Sequence, residues 1–146
     1  MARRLAWRGA LGEGKGVDKL GDDDGTMAHI LLAEDDDSMR EFLAKALRRA
    51  GYEVIPVGDG LDALAQLSEV PFDLLLADVV MPGLDGIELA RRATKKQPGI
   101  KVMFITGFAA VALRAREQSP KDARVLSKPF HLRDLVDQVD VMLRAS

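Results

Sequence analysis

The stretch FDLLLADVVMPG, residues 72–83, decides the fold of this chain. Apart from Asp73, its first six residues are apolar, which is typical of a strand buried on both faces of a parallel sheet. Asp78 ends the apolar run, and the following sequence MPG is a turn signal. We therefore predict a central strand over residues 72–77 with an acidic side chain at its carboxyl end.

Short apolar runs and amphipathic segments alternate from His29 onward, as in a parallel α/β sheet that is covered on both faces. The predicted strands are 30–33, 52–57, 72–77, 100–105 and 124–126. The predicted helices begin near 37 and then cover 61–67, 87–94, 109–116 and 132–143. These five pairs predict a doubly wound, five-stranded parallel sheet in the order 2-1-3-4-5, a flavodoxin-like fold.

Local signals refine the first helix and the second strand. Ser38 and Glu41 have the spacing of a capping box at the start of the helix. The buried stripe predicted for this helix consists of apolar residues at helical spacing: Met39, Phe42, Leu43, Ala46, Leu47 and Ala50. Pro56 cannot donate a ladder hydrogen bond, so the second strand is expected at an edge of the sheet.

Composition and charge exclude several classes of function. The chain has 146 residues, a formal net charge of −2, no cysteine and two histidines. Disulfides, thiolate chemistry and histidine-rich metal sites are therefore excluded. With 30% charged residues and no long basic run, neither a bilayer nor a nucleic-acid backbone is an expected partner. We expect a cytoplasmic protein.

We divide the chain at residue 27. Residues 1–26 contain six of the thirteen glycines, a basic start and an acidic end, which predicts a flexible extension. Met27 stands where the compact sequence begins, so translation could naturally start there. The predicted domain covers residues 27–146.

Polar residues follow four of the predicted strands at their carboxyl ends. They are Glu34 and Asp35 after the first strand, Asp78 after the third, Thr106 at the end of the fourth and Lys128 after the fifth. In a doubly wound sheet, ligands bind outside these ends, where the strand order reverses. We expect one pocket that is lined by the three carboxylates and flanked by the hydroxyl and the ammonium.

Three carboxylates in a small pocket need compensation, because two unit charges about 4 Å apart repel by roughly 4 kcal/mol at an effective dielectric of 20. A raised pKa, a salt bridge from Lys128 or a bound Mg²⁺ would supply it. A cation and an ammonium beside a carboxylate suit phosphoryl transfer, and the carboxylate itself can be the acceptor. Taken singly, the same residues could be helix caps, turn residues or surface charges.

At this point the sequence over residues 27–146 resembles the receiver domains of two-component response regulators. The resemblance rests on ILLAEDD at 30–36, LLLADVVMPGLDG at 74–86, FITG at 104–107 and LSKPF at 126–130. It implies Asp78 as phosphoacceptor, Glu34 and Asp35 as Mg²⁺ residues, the Val80 carbonyl as a further metal ligand, Thr106 as switch hydroxyl, Lys128 as phosphoryl-binding ammonium, and a cis peptide between Lys128 and Pro129.

A closer resemblance is to single-domain receivers of alphaproteobacteria, through MPGLDGIELARRA and MFITGFAAVAL. It implies a phosphorelay in which a hybrid histidine kinase and a histidine phosphotransferase load the aspartate. It also implies that the unphosphorylated form helps the ClpXP protease to engage its substrates at a cell pole, as part of cell-cycle control.

The sequence departs from the usual receiver pattern in three places. Val125 replaces a frequent aromatic residue, so the signal is expected to travel through the fourth helix. Val80 and Phe108 are apolar where polar side chains could orient an attacking water, which predicts slow self-dephosphorylation. Glu34 stands in place of the more usual Asp. We therefore expect a phosphoacceptor and not an enzyme with a separate substrate.

Only Arg144, Ala145 and Ser146 follow the last predicted helix, so the output is expected to leave through a surface. The apolar stretch FAAVAL at 108–113 predicts a partner site that includes Phe108, Val111 and Leu113, with a tightly packed start of the helix as the open alternative. By analogy with receivers, Met39, Arg40 and Phe130 are candidates for docking the phosphodonor.

Two other functions fit the same pocket. A Mg²⁺-dependent phosphohydrolase is disfavoured because Val80 stands where a general acid would be needed and because no large insertion covers a substrate. A constitutive interaction module that is never phosphorylated is disfavoured because no pocket residue is missing.

Overall fold

A computed structural model describes residues 27–119 and 122–144, so the predicted extension lies outside the described residues. Five parallel strands form one sheet in the predicted order β2-β1-β3-β4-β5. The strands are β1 (His29–Ala33), β2 (Glu53–Val57), β3 (Leu74–Asp78), β4 (Lys101–Thr106) and β5 (Arg124–Ser127). The helices are α1 (Asp37–Arg49), α2 (Gly60–Leu67), α3 (Gly86–Lys96), α4 (Ala109–Gln118) and α5 (Leu132–Arg144).

The apolar runs define the sheet as predicted. All five residues of β3 are buried, and β3 lies between β1 and β4, with Leu75 in register with Leu31 and Val102. Pro56 is exposed on β2, which is an edge strand. Within the described residues, no helix combines the length and the apolar character that crossing a membrane requires.

Two apolar cores cover the faces of the sheet. Leu31, Leu75 and Phe104 belong to the core that includes buried residues of α2, α3 and α4. Alternate strand residues such as Leu76 belong to the other core, which includes buried residues of α1 and α5. Because successive side chains of a strand point to opposite faces, continuously apolar strands fill both cores at once.

Aspartates cap three helices, and one of them corrects a prediction. The side chain of Asp36 accepts a hydrogen bond of 2.8 Å from the backbone N–H of Met39 and so caps α1. The predicted capping box of Ser38 and Glu41 is wrong, because Ser38 already lies inside the helix. Asp59 and Asp85 cap α2 and α3 in the same way.

The predicted buried stripe of α1 also needs correction. Leu43, Ala44 and Leu47 are the buried residues, whereas Phe42 is 54% exposed. Successive residues of a helix are rotated by about 100°, so a stripe centred on Leu43 and Leu47 turns Phe42 toward solvent. The stripe therefore lies slightly further round the helix than the apolar pattern predicted.

Candidate functional site

Three carboxylates meet at the carboxyl end of the sheet. Glu34 directly follows β1, and Asp78 is the last residue of β3, the strand that pairs with β1. Oxygen atoms of Glu34, Asp35 and Asp78 all lie within 4.8 Å of one another. Glu34 and Asp78 are buried, and Asp35 is exposed. The structure thus brings together the acids that the sequence placed at separate strand ends.

Lys128 supplies a positive charge to this cluster. Its Nζ lies 3.3 Å from Asp78 Oδ2 and 3.7 Å from Glu34 Oε1. The Lys128 backbone N–H donates a 2.8 Å hydrogen bond to the carbonyl of Thr106. The Lys128–Pro129 peptide bond is cis, as the resemblance implied.

The second oxygen of Asp78 is held by the turn that follows it. The Val80 backbone N–H donates a 3.1 Å hydrogen bond to Asp78 Oδ1. The side chain of Val80 is 47% exposed. Both carboxylate oxygens of Asp78 therefore have a donor, and one of these donors belongs to a residue with an apolar, exposed side chain. The role of the Val80 carbonyl as a metal ligand stays a prediction.

Thr106 ends β4 next to Asp78. In the sheet register Ile105 pairs with Asp78, so Thr106 lies one residue beyond that pair. Thr106 is 1% exposed, and its hydroxyl oxygen accepts a 3.2 Å hydrogen bond from the backbone N–H of Phe108. The hydroxyl is thus placed at a strand end that neighbours the acid, and it is linked to the start of α4.

Burial raises the pKa of the Glu34 carboxyl from its ordinary 4.5 to about 7. The hydrogen bond from the Asp36 backbone N–H, 3.1 Å to Oε2, opposes this rise, as does the Lys128 charge. The negative charge of Asp78 adds to the rise. Glu34 Oε1 is buried and accepts no hydrogen bond.

The donor set fits a hard divalent cation. Glu34, Asp35 and Asp78 offer only oxygen atoms, which is the ligand type that Mg²⁺ prefers. A buried carboxylate oxygen without a hydrogen bond, such as Glu34 Oε1, is costly unless a positive charge approaches it. The cluster could therefore hold a metal ion through these three residues.

Arg40 holds the acidic loop in place, a contact that sequence reasoning missed. Its Nη1 donates a 2.8 Å hydrogen bond to the Glu34 carbonyl, and its Nη2 lies 2.6 Å from Asp37 Oδ1. The only sequence signal was the three-residue spacing between Asp37 and Arg40, which suits a pair on one helix face. The predicted docking role of Arg40 stays a prediction.

The remaining surface candidates differ in exposure. Phe108 is 61% exposed and Leu113 is 56% exposed, whereas Val111 is half-buried against the core. Toward the core, α4 buries only Ala112 and Ala115. The segment therefore packs on the core through part of α4 and leaves Phe108 and Leu113 in solvent, and its role as a partner site stays a prediction. On the opposite face of the sheet, Met39 and Phe130 are half-buried against the core that includes residues of α1 and α5.

Comparison with known proteins identifies the family. The family model of the response regulator receiver domain matches residues 30–140. Since this match covers well over half of the chain, the protein belongs to the response regulator receiver family. Its sheet order and its acidic cluster agree with that assignment.

Individual relatives agree with the family. The chain is 61% identical over 120 residues to the response regulator receiver protein CpdR of Brucella abortus, covering 82% of this chain and 100% of CpdR. A response regulator receiver protein from Sinorhizobium medicae superposes with a TM-score of 0.76 at 30% identity, covering 82% of this chain and 96% of that one. TrrA of Thermotoga maritima, crystallised in complex with Mg²⁺ and BeF, gives a TM-score of 0.71 at 26% identity, covering 80% and 99%.

Proposed function

We propose that this protein is a single-domain response regulator that accepts a phosphoryl group on Asp78 in a Mg²⁺-dependent reaction. The observation that carries the proposal is the placement of Asp78 between a lysine ammonium at 3.3 Å and two further carboxylates. The complex of the related TrrA with Mg²⁺ and BeF supports the choice of cation.

In the proposed reaction, a carboxylate oxygen of Asp78 forms a bond to phosphorus while the P–N bond of a partner's phosphohistidine breaks. The histidine nitrogen keeps the electron pair of that bond and takes up a proton. When bound, Mg²⁺ offsets negative charge on the phosphoryl oxygens. Lys128 supplies a second positive charge that already contacts Asp78.

In this proposal, Thr106 is the residue that contacts the phosphoryl group and passes the change on to α4. Its hydroxyl donates a hydrogen bond to a phosphoryl oxygen, while its oxygen already accepts one from the N–H of Phe108. The added charge, about −1.5 to −2, would bias two arrangements of the segment from β4 to α4. The switch hydroxyl and the start of α4 therefore move together.

The proposed phosphodonor is a histidine phosphotransferase or a hybrid histidine kinase. Docking would use Met39, Arg40 and Phe130, which lie on α1 and directly after the Lys128–Pro129 bond. Removal of the phosphoryl group would occur mainly by transfer back through the relay, because Val80 and Phe108 are exposed apolar side chains at the site.

The proposed output is regulation of ClpXP proteolysis, and through it of the cell cycle, in the cytoplasm and at a cell pole. The 61% identity to CpdR over the whole length of that relative supports this finer assignment. The exposed Phe108 and Leu113, together with Val111, would form the surface that contacts the proteolytic machinery.

A reconstituted phosphorelay tests the phosphoacceptor role. Wild type should become labelled in the presence of Mg²⁺ and a phosphorylated phosphotransferase, and Asp78→Asn should stay unlabelled. Equal labelling of the two proteins would refute the assignment. Comparing partners captured by wild type and by Asp78→Asn then shows which phosphorylation state binds the protease.

A further inference from the structure

The first residue of α2, Gly60, lies very close to the loop that follows Asp78. A Cβ atom built on Gly60 would lie 2.5 Å from the carbonyl oxygen of Leu84 and 2.8 Å from its Cβ. Leu84 belongs to the β3–α3 loop, residues 79–85, which begins directly after the acid. Because the contacted oxygen is backbone, it cannot move away unless the loop moves with it.

The same junction touches the loop that carries the other two acids. A Cβ built on Gly58 would lie 3.3 Å from Arg40 Nη1, the atom that donates to the Glu34 carbonyl. The Glu34 backbone N–H donates a 3.1 Å hydrogen bond to the carbonyl of Val57. Residues 57–60, which we call the spacer, therefore lie against the acidic loop of residues 34–36.

We infer that the spacer sets the separation between the two loops that hold the acids, with Gly60 as a positioning residue for the site. None of the spacer residues belongs to the acidic cluster. The spacer nevertheless contacts the loop that carries Glu34 and Asp35 on one side and the loop after Asp78 on the other. The inference rests on the proposed Mg²⁺-dependent function of this site.

The two glycines of the spacer differ in what they contact. At Gly60 a methyl group meets backbone and must displace the β3–α3 loop. At Gly58 it meets the far end of the Arg40 side chain, which can shift by a few tenths of an ångström. A positioning role therefore predicts a large effect at Gly60 and a small effect at Gly58.

The experiment compares Gly60→Ala with its matched control Gly58→Ala in the full chain. Mg²⁺ is titrated into each unphosphorylated protein while the amide resonances of Asp35, Asp78 and Val80 are followed, at a temperature where circular dichroism shows both to be folded. Gly60→Ala should weaken Mg²⁺ binding about tenfold, as is typical when a residue behind the ligands is changed, and Gly58→Ala less than about twofold. A loss of stability alone would leave the affinity of the folded protein unchanged.

If Gly60→Ala binds Mg²⁺ as tightly as wild type, the inference is overturned while the proposed function stands. If wild type itself does not bind Mg²⁺, both are overturned. Should Gly60→Ala not fold, the pair Leu84→Gly and Leu84→Ala replaces it, because only the first removes the Cβ that faces Gly60. Leu84→Gly should then weaken Mg²⁺ binding about tenfold relative to Leu84→Ala, and equal affinities would overturn the inference.

Discussion

The Lys128 ammonium lies 3.3 Å from Asp78 Oδ2, although 50 residues separate the two in the chain. This contact places one positive charge among three carboxylates. The lysine therefore stabilises the cluster when no cation is bound, and it repels a cation that binds there. Lys128 should therefore weaken the binding of Mg²⁺, whereas it should favour the transfer of a phosphoryl group to Asp78.

Replacing the lysine should separate those effects. In Lys128→Gln, Mg²⁺ affinity should rise about thirtyfold, because a repulsion of about 2 kcal/mol between a double and a single positive charge some 4 Å apart in a water-like medium is removed. The rate of labelling by the phosphodonor should fall, because the ammonium no longer offsets phosphoryl charge. Mg²⁺ titration and labelling kinetics measure the two quantities. Lys45→Gln, an exposed lysine on α1, is the control, and a fall in both quantities would contradict the argument.

Glu34 should make the stability of the metal-free protein depend on pH. Its pKa is raised from 4.5 to about 7 in the folded state, so the folded protein binds the proton more tightly than the unfolded chain does. Its contribution to the unfolding free energy is then greatest at low pH and declines between about pH 4.5 and pH 7, by about 3 kcal/mol in total. Glu34→Gln should lack this decline in urea unfolding measured from pH 5 to pH 8.

Saturating Mg²⁺ provides the control for that measurement. A bound cation compensates the ionised carboxylate, so it should stabilise wild type more at pH 8 than at pH 5. If wild type and Glu34→Gln show parallel pH profiles without metal, the buried carboxyl does not titrate as described.

The lifetime of the phosphorylated protein should depend on Val80. The apolar side chain beside Asp78 offers no group to orient an attacking water, so the phosphorylated wild type should persist for minutes or longer. Val80→Gln should shorten that lifetime by about tenfold, which is less than the roughly hundredfold or more that a fully positioned acid or base contributes, because an amide can orient the water but cannot take its proton. Loss of label after removal of the donor measures it. Leu113→Gln adds a similar amide on exposed α4 and should leave the lifetime unchanged, and a wild-type lifetime of seconds would argue against the idea.

The exposed apolar residues Phe108, which directly precedes α4, and Leu113 of α4 should matter for output and not for phosphorylation. Phe108→Ser combined with Leu113→Ser should weaken binding to the protease machinery by about tenfold or more, since tenfold corresponds to about 1.4 kcal/mol and truncation of a central interface residue costs about 2 kcal/mol or more. Labelling of Asp78 should stay within twofold of wild type. Val141→Ser, a change at an exposed apolar residue of α5, is the matched control. Unchanged protease binding would exclude this surface.

The sheet and the meeting of the acids at one of its edges could be predicted from sequence, because both follow from the repeated pattern of short apolar strands. A strand buried on both faces is continuously apolar, and parallel strands place their carboxyl ends at one edge. The predicted element bounds consequently differ from the structure by two residues or fewer at the strands and helices described.

Contacts between loops could not be predicted in the same way. The Arg40 hydrogen bond to Glu34 and the close approach of Gly60 to Leu84 depend on how neighbouring turns pack, which no periodic pattern encodes. The sequence signal for such a contact was the pair Asp-Gly, which occurs at 59–60 and at 85–86. In each pair the aspartate caps a helix, and the glycine that begins the helix lies close to the backbone of another segment. The exposure of Phe42 was missed because an apolar side chain alone does not define the edge of a buried stripe.

The strand β3 and the helix α4 differ in how many of their residues are buried, and this difference determines which of the two can move when Asp78 is phosphorylated. A phosphoryl group on Asp78 would arrive at the tip of a strand with no exposed residue, and moving that strand would disrupt both cores. In α4 only Ala112 and Ala115 are buried and Val111 is half-buried against the core, so this helix can shift while losing little buried apolar area. Among the described helices, α4 thus has the fewest buried residues, and it directly follows Phe108, whose aromatic side chain is 61% exposed.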